Sequence, residues 1–390
     1  MLDRAGTIGD PIASEVLYAL AKSLFVVTNR RIACLDFGKT CARTGVSHTV
    51  DGKPEQIAEA VLRLRSGGLV AFPTETVYGL GADAMDEDAV RRVFAVKGRP
   101  AHNPLIVHVA GEAMAKSVAA EWPEDAQKLA KRFWPGPLSI VVPKKANVPQ
   151  IVTGGGPNVA VRCPSHPLTL ALLEAFGRPL VGPSANVSGF VSPTAAEHVR
   201  EAFDERDVMV LDGGACTGGI ESTVVSVVGG KARVLRSGLI DAGVIGEVLG
   251  REVECADSGR VSGTATTATP MDAPGQLSSH YAPKAKAVMV EAREVEDVIS
   301  RARGECVLIT HVAATSEPFP QPLPSGKGLS GHTIQMPGDA NGYARRLYAA
   351  LREADAMHPT LIVIVTPPDE STNPVWRAVR DRLKRATAEE

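Results

Sequence analysis

The chain has 390 residues, 44% of them apolar and 22% charged, with a formal net charge of −2. That length points to two domains, each with enough apolar side chains for a core. The near-neutral balance and the 4% aromatic content exclude a global basic field and rows of stacking platforms for single-stranded nucleic acid, so any anion site is local.

Residues 1–50 stand apart as an N-terminal extension of unknown role. "IASEVLYALAKSL" reads as one amphipathic helix, with Ile12, Val16, Leu17, Leu20 and Leu24 near helical spacing. From 51 to 250 the pattern is that of one α/β domain. "PEQIAEAVLRLRSGG" and "DEDAVRRVFAVKG" read as helices, the second with Asp86 as N-cap and Gly98 at its C-terminal end. Strands are expected at 69–72, 105–109, 138–142, 159–162, 180–182, 208–212, 222–228 and 232–236, with helices near 123–133, 166–176 and 194–203. Alternation in some places and direct succession in others indicate a mixed sheet. Residues 251–283, rich in Ser, Thr, Gly, Ala and Pro, read as a linker that ends in "HYAP". A second, smaller α/β unit follows at 284–390, with strands "AVMVE", "CVLITH" and "LIVIV" and helices over 341–356 and 373–386. The six cysteines form no C-x-x-C pair and no zinc-spaced cluster with histidine, as expected of a reduced, cytoplasmic protein. No apolar run approaches the ~20 residues needed to span a bilayer, and "MLDRAGTIGDP" does not read as a signal peptide.

Chemistry concentrates on loops beside strand ends. "AVKGRPAHNPLIVHV" puts Lys97 and Arg99 around Gly98. Lys97 suits a helix C-terminus, where a cation gains roughly 0.3–1 kcal/mol from the dipole. With Arg99 on a proline-stiffened loop it equally suits a phosphate clamp. "FPTETVYGLGAD" runs from a strand into hydroxyls and then glycines, as a ligand loop or a Thr-capped turn would. The glycines of "VTGGGPNVAVRCP" permit close backbone approach to a ligand. Arg162 closes a hydrophobic strand and needs an anionic partner, either a ligand carboxylate or a structural acid. "PLVGPSANVSG" offers Ser184 and Asn186 on a small polar loop, and "ESTVV" and "VLRSG" place Ser222, Thr223 and Arg236 at strand ends. No P-loop, Rossmann fingerprint or G-x-S-x-G nucleophile elbow is present. Cations and small hydroxyls without an acid–base pair suit phosphoryl or nucleotidyl transfer by positioning and charge neutralisation.

Taken together, "PTETVYGLG", "KGRPAHNPLIVHV", "FWPGPLSIVV", "VAVRCP", "PSANVSG", "ESTVV" and "LRSG" resemble, in order and spacing, the YrdC-like family. The added "HYAPK" and C-terminal α/β unit resemble the long, two-domain form of its threonylcarbamoyl-AMP synthases. The resemblance covers residues 54–390. It implies an α/β fold: a YrdC-like twisted mixed sheet with a concave cavity, plus a smaller C-terminal Rossmann-like domain. It implies synthesis of threonylcarbamoyl-AMP from L-threonine, bicarbonate and ATP, with Mg2+ accompanying ATP and pyrophosphate released. The product would pass to a tRNA-modifying transferase complex for threonylcarbamoyladenosine in tRNAs that read ANN codons.

Carried onto this chain, Lys97 and Arg99 are the catalytic cations. Lys97, Arg99, Asn103, Asn158, Ser184, Asn186, Arg236 and Tyr281 would contact ATP. Thr76, His108, Arg162, Gly182 and Ser222 would line the threonine pocket, and His280 with Tyr281 would form a lid. No residue is assigned to a protein-held metal. "GQLSSHYAP" lacks the basic residues usual before the His-Tyr pair, Ser226 replaces a common Asp, and Ser237 replaces a usual Pro. The competing reading is an RNA-binding module without ATP turnover. Weak RNA binding is also compatible with the synthase reading. No membrane partner is expected.

Overall fold

A computed structural model describes residues 54–256, 280–302, 304–311 and 331–388. The helix expected in residues 1–50 and most of the expected linker lie outside the described residues.

The chain starts with α1 (Pro54–Arg65), whose Ile57, Ala60, Val61 and Leu64 form one buried face. β1 (Leu69–Phe72) and β2 (Gly79–Asp83) pair antiparallel. β2 corrects the expectation of a glycine-containing loop: all five of its residues are buried in the sheet. Its glycines make room for Phe72, since a Cβ on Gly79 would lie 2.8 Å from that ring. α2 (Glu87–Lys97) is capped by Asp86, which accepts from the backbone N–H groups of Asp88 and Ala89. Left-handed Gly98 (φ 61°) ends it and turns the chain into the Arg99 loop. β3 (Ile106–His108), α3 (Glu112–Val118), α4 (Glu124–Phe133), β4 (Leu138–Pro143) and β5 (Asn158–Arg162) follow. Between β4 and β5 the expected ligand-approach glycines are structural. Gly154 caps a 3-10 turn, and a Cβ there would lie 2.5 Å from the His102 carbonyl.

α5 (Pro167–Phe176), β6 (Leu180–Val181), α6 (Ala196–Arg200), β7 (Val208–Val210), β8 (Thr223–Ser226), β9 (Arg233–Arg236), α7 (Ala242–Leu249) and β10 (Glu254–Cys255) complete the first unit. Its ten strands are ordered β10-β9-β8-β4-β5-β3-β6-β2-β1-β7, with both parallel and antiparallel neighbours. β10 carries the sheet to Cys255, so the chain leaves it a few residues later than the linker boundary expected at 251. Helices α3, α4 and α7 cover the core containing Leu129, Leu138, Ile140 and Ile245. Helices α1 and α5 cover a second apolar cluster around Phe72 and Leu172.

The second unit has β11 (Ala287–Val290), α8 (Val295–Arg301), β12 (Cys306–His311), β13 (Gly331–Met336), α9 (Ala340–Ala356), β14 (Leu361–Val365) and α10 (Val375–Ala386). Its sheet is ordered β11-β14-β12-β13, and every pair is parallel, as the Rossmann-like expectation requires. The two units meet at residues 191–192 and 217–221 of the first and helices α9 and α10 of the second. There Arg345 Nε donates to the Thr217 carbonyl at 2.8 Å, and Arg352 Nη2 donates to the Val191 carbonyl at 2.6 Å. Gly219 (φ 79°) sits against the α9 backbone so closely that a Cβ would be 2.4 Å from the Arg345 Cα.

Candidate active site

Sheet register brings the strand-end residues together. His108 and Arg162 are direct partners at the ends of β3 and β5. β4 and β8 start beside the end of β5, and Arg236 closes β9 opposite Val224. These ends and their loops line a cavity of about 50 Å³, bordered among others by Thr76, Arg99, His108, Arg162, Gly182, Ser184, Glu221, Ser222, Arg236, His280 and Tyr281. Lys97, Asn103, Asn158 and Asn186 are not in this lining.

The buried Lys97 ammonium donates to the carbonyl of Ser184 at 2.7 Å and to that of Asn186. Burial, then the neighbouring Arg99 charge, drives its pKa well below the usual lysine value. The Lys97 ammonium and the Arg99 guanidinium thus turn to different protein groups. Lys97 fastens the Ser184–Asn186 loop, while Arg99 reaches the cavity. Arg99 Nη2 donates to Asn103 Oδ1 at 2.7 Å and to the Pro104 carbonyl at 2.8 Å, which fixes its fork. Burial lowers its pKa to about 10, which leaves it charged at neutral pH. Asn103 Nδ2 and Asn186 Oδ1 are buried without partners among the described residues. Asn158 begins β5 opposite Pro143, at the far end of the strand from Arg162.

Arg162 takes the structural acid of the two partners foreseen for it. Its Nη2 donates to Glu75 Oε1 at 2.7 Å, and Glu75 Oε2 accepts from the Ser165 N–H at 3.0 Å. Burial tends to raise the Glu75 pKa, but the charge and hydrogen bond of Arg162 outweigh it and hold the carboxyl below its ordinary range. Arg162 Nε donates to the Gly136 carbonyl at 3.3 Å, and among the described residues Nη1 has no hydrogen-bond acceptor. His108 stands edge-on to Phe72, with ring centroids 5.3 Å apart, and its buried Nδ1 has no partner among the described residues. Burial, reinforced by Arg162, keeps this imidazole neutral. Gly182 permits that arrangement, because a Cβ there would lie 2.5 Å from His108 Nδ1. Ser222 is held by Ser139 Oγ at 2.8 Å, while Arg236 Nη2 donates to its carbonyl at 3.0 Å.

His280 and Tyr281 arrive from between the two units. The His280 N–H donates to the Arg385 carbonyl at 3.2 Å, and the Ala282 N–H to the Gly189 carbonyl at 2.9 Å. Tyr281 sits between them in the left-handed region (φ 64°), a strained conformation for a non-glycine residue, and stacks on Tyr348 at 5.6 Å.

Sequence reasoning missed Glu75, Glu221 and the groups that hold Glu221. Both acids stood within the quoted motifs, next to residues that were singled out. The available signal was a carboxylate bordering a buried strand, which demands a cation just as Arg162 demands an anion.

A mixed sheet whose strand ends surround a cation-lined cavity, overlaid by a segment anchored on a second α/β unit, defines a two-unit small-molecule site. A family profile described as "Telomere recombination" matches residues 63–238, and one described as "Threonylcarbamoyl-AMP synthase, C-terminal domain" matches residues 240–388. A Pyrococcus abyssi protein named threonylcarbamoyl-AMP synthase is 39% identical over 345 residues, covering 85% of this chain and 96% of that protein. A Bacillus subtilis protein of the same name is 37% identical, covering 85% of this chain and 92% of its own length. The crystal structure of P. abyssi Sua5 complexed with L-threonine superposes with a TM-score of 0.74 at 37% identity, covering 85% of this chain and 94% of that one. The chain belongs to the threonylcarbamoyl-AMP synthase family, in the long form that carries the C-terminal domain.

Proposed function

We propose that this chain makes threonylcarbamoyl-AMP from L-threonine, bicarbonate and ATP. The observation that carries the proposal is the single cavity that gathers Arg99, Arg162 and Arg236 with Thr76, Ser184 and Ser222. Three buried cations among small hydroxyls suit one carboxylate and one polyphosphate together. The P. abyssi homologue was crystallised with L-threonine. By analogy, the threonine carboxylate would take the remaining donor of Arg162, with Thr76, His108, Gly182 and Ser222 shaping the rest of that pocket. ATP would lie toward Arg99, Ser184, Arg236 and Tyr281, with Asn103, Asn158 and Asn186 proposed as further contacts.

The threonine amine attacks the bicarbonate carbon, and the amine proton leaves with the displaced hydroxide as water, giving a carbamate. A carbamate oxygen then attacks the α-phosphorus as the bond to pyrophosphate breaks, and pyrophosphate carries away the electron pair. Arg99 neutralises the charge that develops at phosphorus, and Lys97 acts one step back by holding the Ser184–Asn186 loop. Neutral His108 positions rather than deprotonates, since a carbamate oxygen has no proton to lose. His280 and Tyr281 limit water access to a labile carbamate and a labile mixed anhydride.

Among the described residues no group of His, Cys, Asp or Glu could hold a metal, and Glu75 and Glu221 are each paired with arginine. Mg2+ is proposed as a companion of the ATP phosphates. Transfer to tRNA by a separate complex, any weak RNA binding and a cytoplasmic setting belong to the same proposal. Among the described residues no helix is long and apolar enough to cross a membrane.

Incubating the protein with ATP, bicarbonate and labelled threonine should yield threonylcarbamoyl-AMP by mass spectrometry. Pyrophosphate release that does not depend on threonine would refute the reading. RNA binding with no turnover would favour the alternative.

A further inference from the structure

Glu221 is a carboxylate on the cavity wall, 6% exposed, where the substrates are expected to be anionic. Left alone it would repel them. Its Oε1 accepts from Ser192 Oγ at 2.7 Å, and its Oε2 accepts from Tyr348 OH at 2.8 Å and from Arg382 Nε at 3.1 Å. Tyr348 and Arg382 lie on α9 and α10, so among the described residues the second unit supplies two of the three side-chain donors. Arg382 is wholly buried. Its Nη1 donates to the Ser237 carbonyl at 2.8 Å, and its Cζ lies 5.8 Å from the Tyr281 ring centroid. One guanidinium thus touches the Glu221 carboxylate, the turn after Arg236 and the face of the overlying Tyr281. Arg236 lies near enough to Glu221 and Arg382 to feel both charges.

We infer that Arg382 is a positioning residue. From the second unit it neutralises Glu221 and holds it against α9 and α10, so that Glu221 does not recruit Arg236 and Tyr281 stays seated over the cavity. The second unit is then an electrostatic component of the site as well as the anchor of the His280–Tyr281 segment. Nucleotide binding is where the inference rests on the proposed function; seating of residues 280–282 is independent of it.

The test is a cycle on the full chain of Arg382→Met, Glu221→Gln and the double variant. It is read by ATP affinity from calorimetry and by hydrogen exchange of the peptide containing His280–Ala282. Arg382→Met strands a buried carboxylate, so ATP affinity should fall about tenfold or more and exchange at 280–282 should accelerate at least as much. Adding Glu221→Gln removes the stranded charge and should return ATP affinity to within roughly threefold of wild type, while 280–282 stays loose because the Tyr281 contact is still missing. Should Arg382→Met fail to fold, Arg382→Lys and Tyr348→Phe carry the same readouts with milder losses. A folded Arg382→Met with wild-type ATP affinity and exchange would overturn the inference, as would a double variant that binds ATP no better than the single. If the wild-type chain binds no ATP, the proposed function falls, whereas the exchange measurement still decides whether Arg382 seats Tyr281.

Discussion

Gly219→Ala tests whether the two units are locked together. Gly219 has a φ of 79°, and a Cβ there would lie 2.4 Å from Arg345 Cα and 2.5 Å from the Ala344 carbonyl, both backbone atoms of α9. A left-handed non-glycine residue costs about 1–2 kcal/mol. A methyl forced onto rigid backbone costs about 1–3 kcal/mol more, because no side chain can swing aside. Gly214 provides the control: it has nearly the same φ, 80°, but an added Cβ meets nothing within 4 Å among the described residues. Gly214→Ala should therefore lose only the backbone part, and the gap between the variants isolates the contact between units. With about 2–4 °C per kcal/mol for domains of this size, Gly219→Ala should lower the calorimetric melting temperature by about 4–20 °C and Gly214→Ala by about 2–8 °C. Exchange should also accelerate in α9 and at 280–282 in Gly219→Ala alone. Equal losses in the two variants, or a Gly219→Ala melt within about 2 °C of wild type, would refute the packing account.

Arg99→Ala should reduce threonine-dependent pyrophosphate release by about 10²–10³ with little change in fold, as for loss of a preorganised charge donor; retention of full turnover would remove Arg99 from the chemistry. Gly182→Ala should weaken threonine binding at least tenfold by calorimetry, because its methyl would displace His108 from the cavity wall. Unchanged affinity would show that His108 does not shape that pocket. Burial pushes the His280 pKa down to about 3 from 6.5, so the folded chain keeps this ring neutral. The unfolded chain gains the proton first, and stability that is complete above pH 6.5 is lost as pH falls toward 3. His280→Gln should flatten unfolding free energy against pH across that window by up to one proton; identical slopes would contradict it. Glu75 and Glu221, both held below the ordinary carboxylate value of 4.5, contribute stability that is full above that pH and lost below it. Glu75→Gln should lower stability at pH 7 and lessen the loss on going to acid.

Sequence legibility followed the range of the forces involved. The Asp86 cap and the Gly98 stop act within a turn of α2, so its limits could be read locally. Strands such as "CVLITH" announce themselves by apolar runs. β2 did not, because its glycines answer to the Phe72 ring, a cross-strand neighbour invisible to a local pattern. The "GGG" at 154–156 misled for the same reason, since its close approach is to His102. At the site, motif matching found Arg99, Arg162 and Arg236, but not which acids hold their neighbours. Arg162 and Glu75 are 87 residues apart, and Arg382 and Glu221 are 161 apart. Only the fold brings such pairs together.

That last separation also has a consequence in time. Ribosomes add roughly 5–20 residues per second, so Arg382 is made about 8–32 s after Glu221. Until then the first sheet carries a carboxylate at its strand edge with its cation still unmade. Glu221 thus meets its Arg382 partner only after nearly the whole chain has been made and α10 has docked.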